Sequence, residues 1–307
     1  MKLFNQSTAT YNSKNDDVLS DRYSLYDEWS RGNDQRTVGR TCVFTSSIPP
    51  RVNPIESQSI SFKEIQQRFK KNHGEEVFKD LCRGQAIIDT TEQLEQYLHS
   101  YGPMVDRQWN EIKSHLTVES KPIDIFYYGC GQGLGTIQIF YHLKHGGKPM
   151  ASSHNESISE SDNRLDNVTN VNLIEPSSLA LSRAKELVCY YPTEMIPNCI
   201  NKKLDDLNLC DLVTSDRSIK LHIFSNVLDI QTFDPIALLE KVLSLGGRHQ
   251  MIGVSPQKYD GARRLRDVFQ IITARYNIRS YREWDFSYKD YRGHHRNQYA
   301  FLIEVEI

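Results

Sequence analysis

The stretch Ile123-Asp124-Ile125-Phe126-Tyr127-Tyr128-Gly129-Cys130-Gly131-Gln132-Gly133-Leu134-Gly135 decides the fold. A short, mostly apolar run passes directly into a glycine-rich turn, and a helical pattern, Leu134–His145, follows at once. A strand that ends in such a turn lets the backbone approach a ligand without Cβ collisions. It also aims the first amides of the following helix at negative or polar ligand groups. Alone, the glycine pattern is a weak signal, because a tight strand-to-helix turn with no ligand satisfies it equally well. Its position in the chain supplies the weight.

Working outward, three more short apolar runs follow, Val171–Ile174, Leu221–Phe224 and Gln250–Val254, with a weaker one near Ile200. They alternate with the amphipathic stretches Ser177–Tyr190 and Pro235–Leu245. Gly261–Tyr276 is helical, with Leu265, Val268, Phe269 and Ile272 on one face, and two strand-like pieces, Arg279–Phe286 and Tyr299–Val305, close the chain. This alternation predicts a parallel α/β sheet covered by helices, with a strand–turn–strand ending. Residues 148–170 are polar and Ser/Asn-rich without an apolar face, and read as a loop insertion between the first helix and the second strand. Residues 1–55, with the breaker cluster Ile48-Pro49-Pro50-Arg51-Val52-Asn53-Pro54, read as a polar, extended or partly disordered arm. Between arm and sheet, residues 56–119 form a helical cap region. Its signals are Phe62, Ile65 and Phe69; then Val77, Phe78 and Leu81; then a helix from Thr91 through Leu98 and a third marked by Trp109, Ile112 and Leu116. Residues 120–307 are the third segment.

Glu175 stands at the end of the second apolar run, in Asn172-Leu173-Ile174-Glu175-Pro176-Ser177. A carboxylate there can accept both hydroxyls of an adenosine ribose. Nucleotide folds place this acid roughly 20 residues after the first glycine. Glu175 lies 46 residues after Gly129, and the 23 residues of the polar insertion account for the excess. A solvated acid favoured by a helix N-terminus is the competing reading.

With five βα units, the glycine turn and Glu175 in this order, residues 121–307 resemble the class I S-adenosylmethionine-dependent methyltransferases. The resemblance implies a Rossmann-like seven-stranded methyltransferase sheet whose last strand inserts antiparallel, preceded here by an N-terminal helical extension, and S-adenosyl-L-methionine as cofactor. It implies that Gly129, Gly131 and Gly133, with Cys130 and Gln132 of the same turn, line the methionine and ribose part of the cofactor. Glu175 falls at the family's ribose-binding acid. Asp205 or Asp206 falls near the adenine-contacting acid, although an Asp pair before a loop is as readily a cap or turn. Ser225-Asn226-Val227-Leu228-Asp229 ends the fourth run, where the family places substrate and catalytic residues. Ser225 is thereby a cofactor-side candidate, and Asn226 and Asp229 are catalytic candidates. The run is not the Asp/Asn-Pro-Pro-aromatic signature of base or amide nitrogen methylation. It resembles the Val-Leu-His stretch of small-molecule methyltransferases, with Asp229 where their His stands. A carboxylate there can accept a proton from a hydroxyl or amine nucleophile, while an N-cap or turn role explains Asp229 equally well. One position departs from the pattern: the family's acid two residues before the first glycine is replaced by Tyr127, and Asp124 points to the opposite face of the strand.

The charge balance, 37 Lys and Arg against 39 Asp and Glu, gives a net charge of -2 and no global field for nucleic acid or an anionic membrane. A local surplus exists, since residues 258–296 carry ten Lys/Arg against five acids, interleaved with Tyr281, Trp284, Tyr288 and Tyr291. This is the candidate surface for local nucleic-acid contact. No run approaches the ~20 apolar residues of a membrane span, and the N-terminus lacks the apolar centre of a secretory signal, so a soluble cytoplasmic protein is the expectation. The six cysteines include no CxxC pair and no zinc-ligand spacing, which predicts reduced, mostly packed thiols and no metal. His294-His295 reads as a turn. Three functions follow: a methyltransferase of unknown acceptor; a catalytically inactive, methyltransferase-like scaffold subunit of a multi-protein bacterial or phage-related complex, with the arm as protein-partner surface; and a nucleic-acid-binding module using 258–296.

Overall fold

Ile123–Tyr128 forms strand β1, and all six of its side chains are buried, so the run is apolar because both faces of the strand are covered. The computed structural model describes residues 60–74, 76–117, 119–145, 163–191, 195–228, 230, 232–257, 261–290 and 292–307. The arm at 1–55 and most of the polar insertion lie outside the described residues. The helices are α1 (Phe62–Arg68), α2 (Thr91–Ile112), α3 (Leu134–Lys144), α4 (Ser178–Val188), α5 (Pro235–Leu243) and α6 (Gly261–Arg275). The remaining strands are β2 (Val168–Ile174), β3 (Asn198–Ile200), β4 (Ile219–Ser225), β5 (Arg248–Pro256), β6 (Ile278–Lys289) and β7 (His295–Glu306).

Seven strands form one sheet in the order β3-β2-β1-β4-β5-β7-β6. β1 through β5 run parallel, while β7 inserts antiparallel between β5 and β6. This is the predicted α/β, Rossmann-like seven-stranded sheet. Alternation along β1 feeds two cores. Ile125 and Tyr127 join Trp109 of α2, Ile137 and Phe140 of α3 and Leu187 of α4; Phe126 and Tyr128 join Leu239 of α5 and Leu265 of α6. The helices start where side chains satisfy their free amides. Ser177 accepts from the Ala180 N–H, and Asp234 accepts from Ile236 and Ala237 with Pro235 at the first turn.

Three expectations are corrected. The two helices read around Thr91 and Trp109 are one 22-residue helix, α2, with Pro103 inside it. Gly102 beside it is buried, and a Cβ there would lie 3.0 Å from the Phe62 ring, so the Gly-Pro pair serves the α1 contact rather than a break. β2 begins at Val168, inside the segment read as insertion loop. Thr169 and Asn170 looked like loop residues because they are polar, yet both donate to the buried Asp124 carboxylate of β1. The cysteines are not mostly packed: of the five described thiols only Cys130 is buried. Cys189 caps the C-terminus of α4 and Cys199 lies on the edge strand β3, where one side has no neighbour to cover it.

A buried polar chain crosses the α5/α6 side of the sheet. The Tyr128 hydroxyl meets His222 Nδ1 at 3.0 Å, His222 Nε2 meets His249 Nδ1 at 2.9 Å, and His249 Nε2 meets the Gly246 carbonyl at 3.1 Å. The carbonyl can only accept, so His249 Nε2 carries a proton and its Nδ1 accepts from His222, whose Nδ1 in turn accepts from Tyr128. Each link has one proton; a second on His249 would set donor against donor, and one on His222 would force the Tyr128 hydroxyl to turn and accept. Burial holds both imidazoles below their ordinary 6.5, His249 at about 4. The unfolded chain therefore binds more protons between those values, and stability is lost as pH falls from about 6.5 toward 4, by on the order of 3 kcal/mol for His249. Urea midpoints at pH 7 and pH 5 should differ accordingly, and equal midpoints would contradict the neutral chain.

Candidate active site

The strand order, with β1 between β2 and β4, puts the topological switch point at the carboxyl ends of these strands, the end of an α/β sheet at which a ligand crevice forms. The glycine turn leaves β1 into this crevice. It is tied to β2 by the Cys130 N–H, which donates to the Ile174 carbonyl at 3.0 Å. Gly129, Gly131 and Gly133 all have positive φ, at 60°, 52° and 76°. Their surroundings differ. A Cβ on Gly129 would lie 2.7 Å from Val227 Cγ2, and one on Gly133 would lie 2.9 Å from Ala184 Cβ and 3.0 Å from its Cα. A Cβ on Gly131 would enter open space, with nothing within 4 Å. Two of the glycines therefore serve packing, and the third faces open space.

Glu175 stands opposite Gly131. Its Oε2 accepts the Gly131 N–H at 2.9 Å and its Oε1 accepts the Ser177 N–H at 3.0 Å, so one carboxylate joins the turn to the start of α4. Burial pushes its pKa above the usual carboxylate range, and the two amides pull it back. The neighbouring Cys130 thiol is pushed well up, first by burial and then by the Glu175 charge. Asn201, which follows β3, donates to the Glu175 and Pro176 carbonyls and holds this corner in place. Asp205 and Asp206 are both exposed. Asp205 accepts from the Asp234 N–H at the start of α5, and the Asp206 N–H closes a turn onto Lys203.

Tyr127 stands on β1 two residues before Gly129. It is 3% exposed, and burial keeps its phenol protonated. Its hydroxyl lies against the Ser225 side chain and the main chain of Gly135, with the Trp109 indole Nε1 in the same corner. On the β4 side, Asn226 adopts φ 56° and forms a two-point amide pair with Gln108 of α2, its Oδ1 accepting at 2.9 Å and its Nδ2 donating at 2.7 Å. Gln108 Nε2 also donates to Gln298 of β7 at 2.7 Å. Ser225 accepts from Asn226 Nδ2 at 3.2 Å. Asp229 lies outside the described residues.

The segment preceding β1 lies directly on this crevice. Gln132 Nε2 donates to the Leu94 carbonyl of α2 at 2.8 Å, and the Ser177 hydroxyl donates to the Ile88 carbonyl. Around the start of α3, Gln132 Oε1 and Thr136 Oγ1 are buried without a hydrogen-bond partner among the described residues. Gln108, Asn201 and Gln298 were not singled out from sequence, and Trp109 was read only as a helix marker. Amides and an indole on a helix or strand carry no motif, and only the tertiary fold sets Gln108 against Asn226, 118 residues away.

Among the described residues, four of the ten basic residues of the late stretch pair with carboxylates of the chain. Arg266 pairs with Asp285, Arg275 with Glu240, Arg279 with Glu304 and Glu306, and Arg296 with Asp290. Lys258, Asp260 and Tyr291 lie outside the described residues. His294 follows the Arg292-Gly293 turn, and its Nδ1 lies 3.8 Å from Asp290. Among the described residues no group of three or more His, Cys, Asp or Glu side chains is placed to hold a metal ion, and no helix is long and apolar enough to cross a membrane.

No family model and no curated protein matches the sequence. Solved structures do resemble the fold. The DszA carbon methyltransferase is 14% identical, with 74% of this chain and 62% of that chain covered and a TM-score of 0.43. The chain thus spans less than two thirds of that enzyme's length. The magnesium protoporphyrin IX methyltransferase of Synechocystis PCC 6803, solved with bound SAM, is 13% identical over 79% of this chain and 97% of that one, at a TM-score of 0.38. An rRNA methylase from Streptococcus thermophilus is 10% identical over 66% and 96%, at a TM-score of 0.36. By its strand order, its antiparallel β7 and its glycine turn at the β1 end, the chain is a Rossmann-like seven-stranded α/β sheet, and its likeness to these methyltransferase structures is one of fold.

Proposed function

We propose that the crevice binds S-adenosyl-L-methionine and that the protein is a methyltransferase of an acceptor still to be identified. The observation that carries this reading is the open space at Gly131, bordered by the Glu175 carboxylate, in a turn whose other two glycines are closed by packing. When bound, the cofactor supplies a methyl group on a positively charged sulfur. Glu175 has lone pairs left for ribose hydroxyls after accepting two amides. The start of α3 offers its dipole and the unpartnered Gln132 Oε1 and Thr136 Oγ1 to the amino-acid end. A neutral Tyr127 phenol brings no charge to offset an ammonium, so affinity should be lower than an acid there would give. Calorimetric titration with S-adenosylmethionine and S-adenosylhomocysteine tests the proposal. Glu175→Gln should weaken both by about tenfold or more, the scale of a hydrogen bond to a charged group. No heat at millimolar ligand would overturn it.

A second reading, a non-catalytic scaffold with the same fold, is favoured by one specific observation: both polar atoms of the Asn226 amide are already engaged by Gln108. It predicts no methyl transfer to any component of a cell extract and co-purification with a stoichiometric partner. Labelled methyl transfer from S-adenosylmethionine into extract would exclude it.

A further inference from the structure

At the opposite end of the parallel strands from the glycine turn, the sheet face is only partly covered. A cleft of about 380 Å³ opens there between the chain just after α2 and strands β5, β7 and β6. Ligand pockets begin at roughly 300 Å³. Its lining includes Gln250 of β5, Leu302 of β7, Ser280 and Arg282 of β6, and His115 and Thr117 beyond α2.

The charges around this cleft are unevenly matched. Arg248 lies between Glu119 and Glu304, each at 2.6 Å, Arg279 takes Glu304 and Glu306, and Lys121 takes Glu119. That side is internally neutral. Arg282 has no carboxylate partner among the described residues. Its guanidinium donates to His115 Nδ1 at 2.8 Å and lies 5.4 Å from the centre of the Trp284 ring. To accept, Nδ1 must be unprotonated, so the His115 proton sits on Nε2, the nitrogen that lies 3.7 Å from Glu111. The imidazole stands edge-on to Trp284, with centroids 4.7 Å apart. A guanidinium on the cleft wall, positioned by the His115 imidazole and the Trp284 ring and without a carboxylate partner among the described residues, is a preorganised donor for an anion.

We propose that this cleft binds a small monocarboxylate, anchored by Arg282, with Ser280, Thr117 and Gln250 available to hydroxyl or keto groups and Leu302 beneath its carbon skeleton. The size and the single uncompensated cation favour one carboxylate over a di- or triacid, which would meet Glu304 and Glu119. The proposal is independent of cofactor binding at the glycine turn.

Calorimetry of the full chain with pyruvate, L-lactate and benzoate tests it, with lactamide and benzamide as uncharged counterparts and sodium sulfate as a simple anion. At least one carboxylate should bind 1:1 below about 10 mM with its amide silent. Arg282→Ala should lose at least about tenfold in affinity, about 1.4 kcal/mol, with Arg282→Lys between. Arg282 is exposed, so its variants should retain the wild-type melting profile, and thermal denaturation checks this. The proposal is overturned if no carboxylate saturates, if Arg282→Ala binds as well as wild type, or if sulfate competes equally, which would mean an adventitious ion only.

Discussion

Gly131→Ala is expected to fold normally and to lose S-adenosylhomocysteine binding by at least about tenfold, whereas Gly133→Val is expected to cost about 3 kcal/mol of stability or more. Both residues have positive φ, so both substitutions carry the left-handed strain of about 1–2 kcal/mol. They differ in what the new Cβ meets. At 131 it meets nothing, so the strain is nearly the whole structural cost and the methyl group occupies the proposed ligand volume. At 133 it meets the Ala184 main chain of α4, which cannot swing aside as a flexible side chain would, and valine adds two further methyl groups. Urea denaturation and calorimetry on the same preparations separate the outcomes. If Gly131→Ala bound the ligand like wild type, the space beside Gly131 would not be the cofactor's.

Asp124→Ala is expected to destabilise the protein by about 3–5 kcal/mol, a large part of the total for a domain of this size. Asp124 is 0% exposed at the start of β1, far from the glycine turn. Its Oδ1 accepts from the Thr169 hydroxyl at 2.6 Å and Asn170 Nδ2 at 2.7 Å; its Oδ2 accepts from the Thr214 hydroxyl at 2.9 Å and the Ser215 N–H at 2.7 Å. One carboxylate thus fastens the beginnings of β1 and β2 to the loop before β4. Alanine leaves four donors without that acceptor, and the Ser215 amide cannot rotate toward water. Asp124 also offsets part of the burial that depresses the Lys220 ammonium on β4. Asp124→Asn, which keeps the volume but turns a donor group toward donors, should fall between alanine and wild type in denaturant midpoint. A wild-type midpoint for alanine would show that water replaces the carboxylate.

The elements that sequence reading located best were those with both faces buried. β1 matches its predicted bounds, and the helices after it start within a residue of expectation, because Ser177 and Asp234 caps and glycine punctuation mark their ends. Reading failed where local polarity and tertiary role diverge. Thr169 and Asn170 were polar for the sake of a buried carboxylate, and Gly102-Pro103 was a packing device inside a continuous helix. For the candidate site, the turn and Glu175 were visible as residue types at a workable spacing. The engagement of Asn226 by Gln108 was not, since amide pairs have no sequence period.

The sequence of apolar runs, caps and glycines by itself determined the order of strands and helices and the existence of a glycine turn at the carboxyl end of β1. Periodicity and φ preference are local properties that a chain carries before it folds. Only the tertiary structure decided which glycine faces open space, which carboxylate is spent on amides and which arginine lacks a counter-charge. Those are differences in what surrounds a residue, set by segments far away in the chain. Gly129, Gly131 and Gly133 look alike in the sequence; Val227 and Ala184 are what make them different.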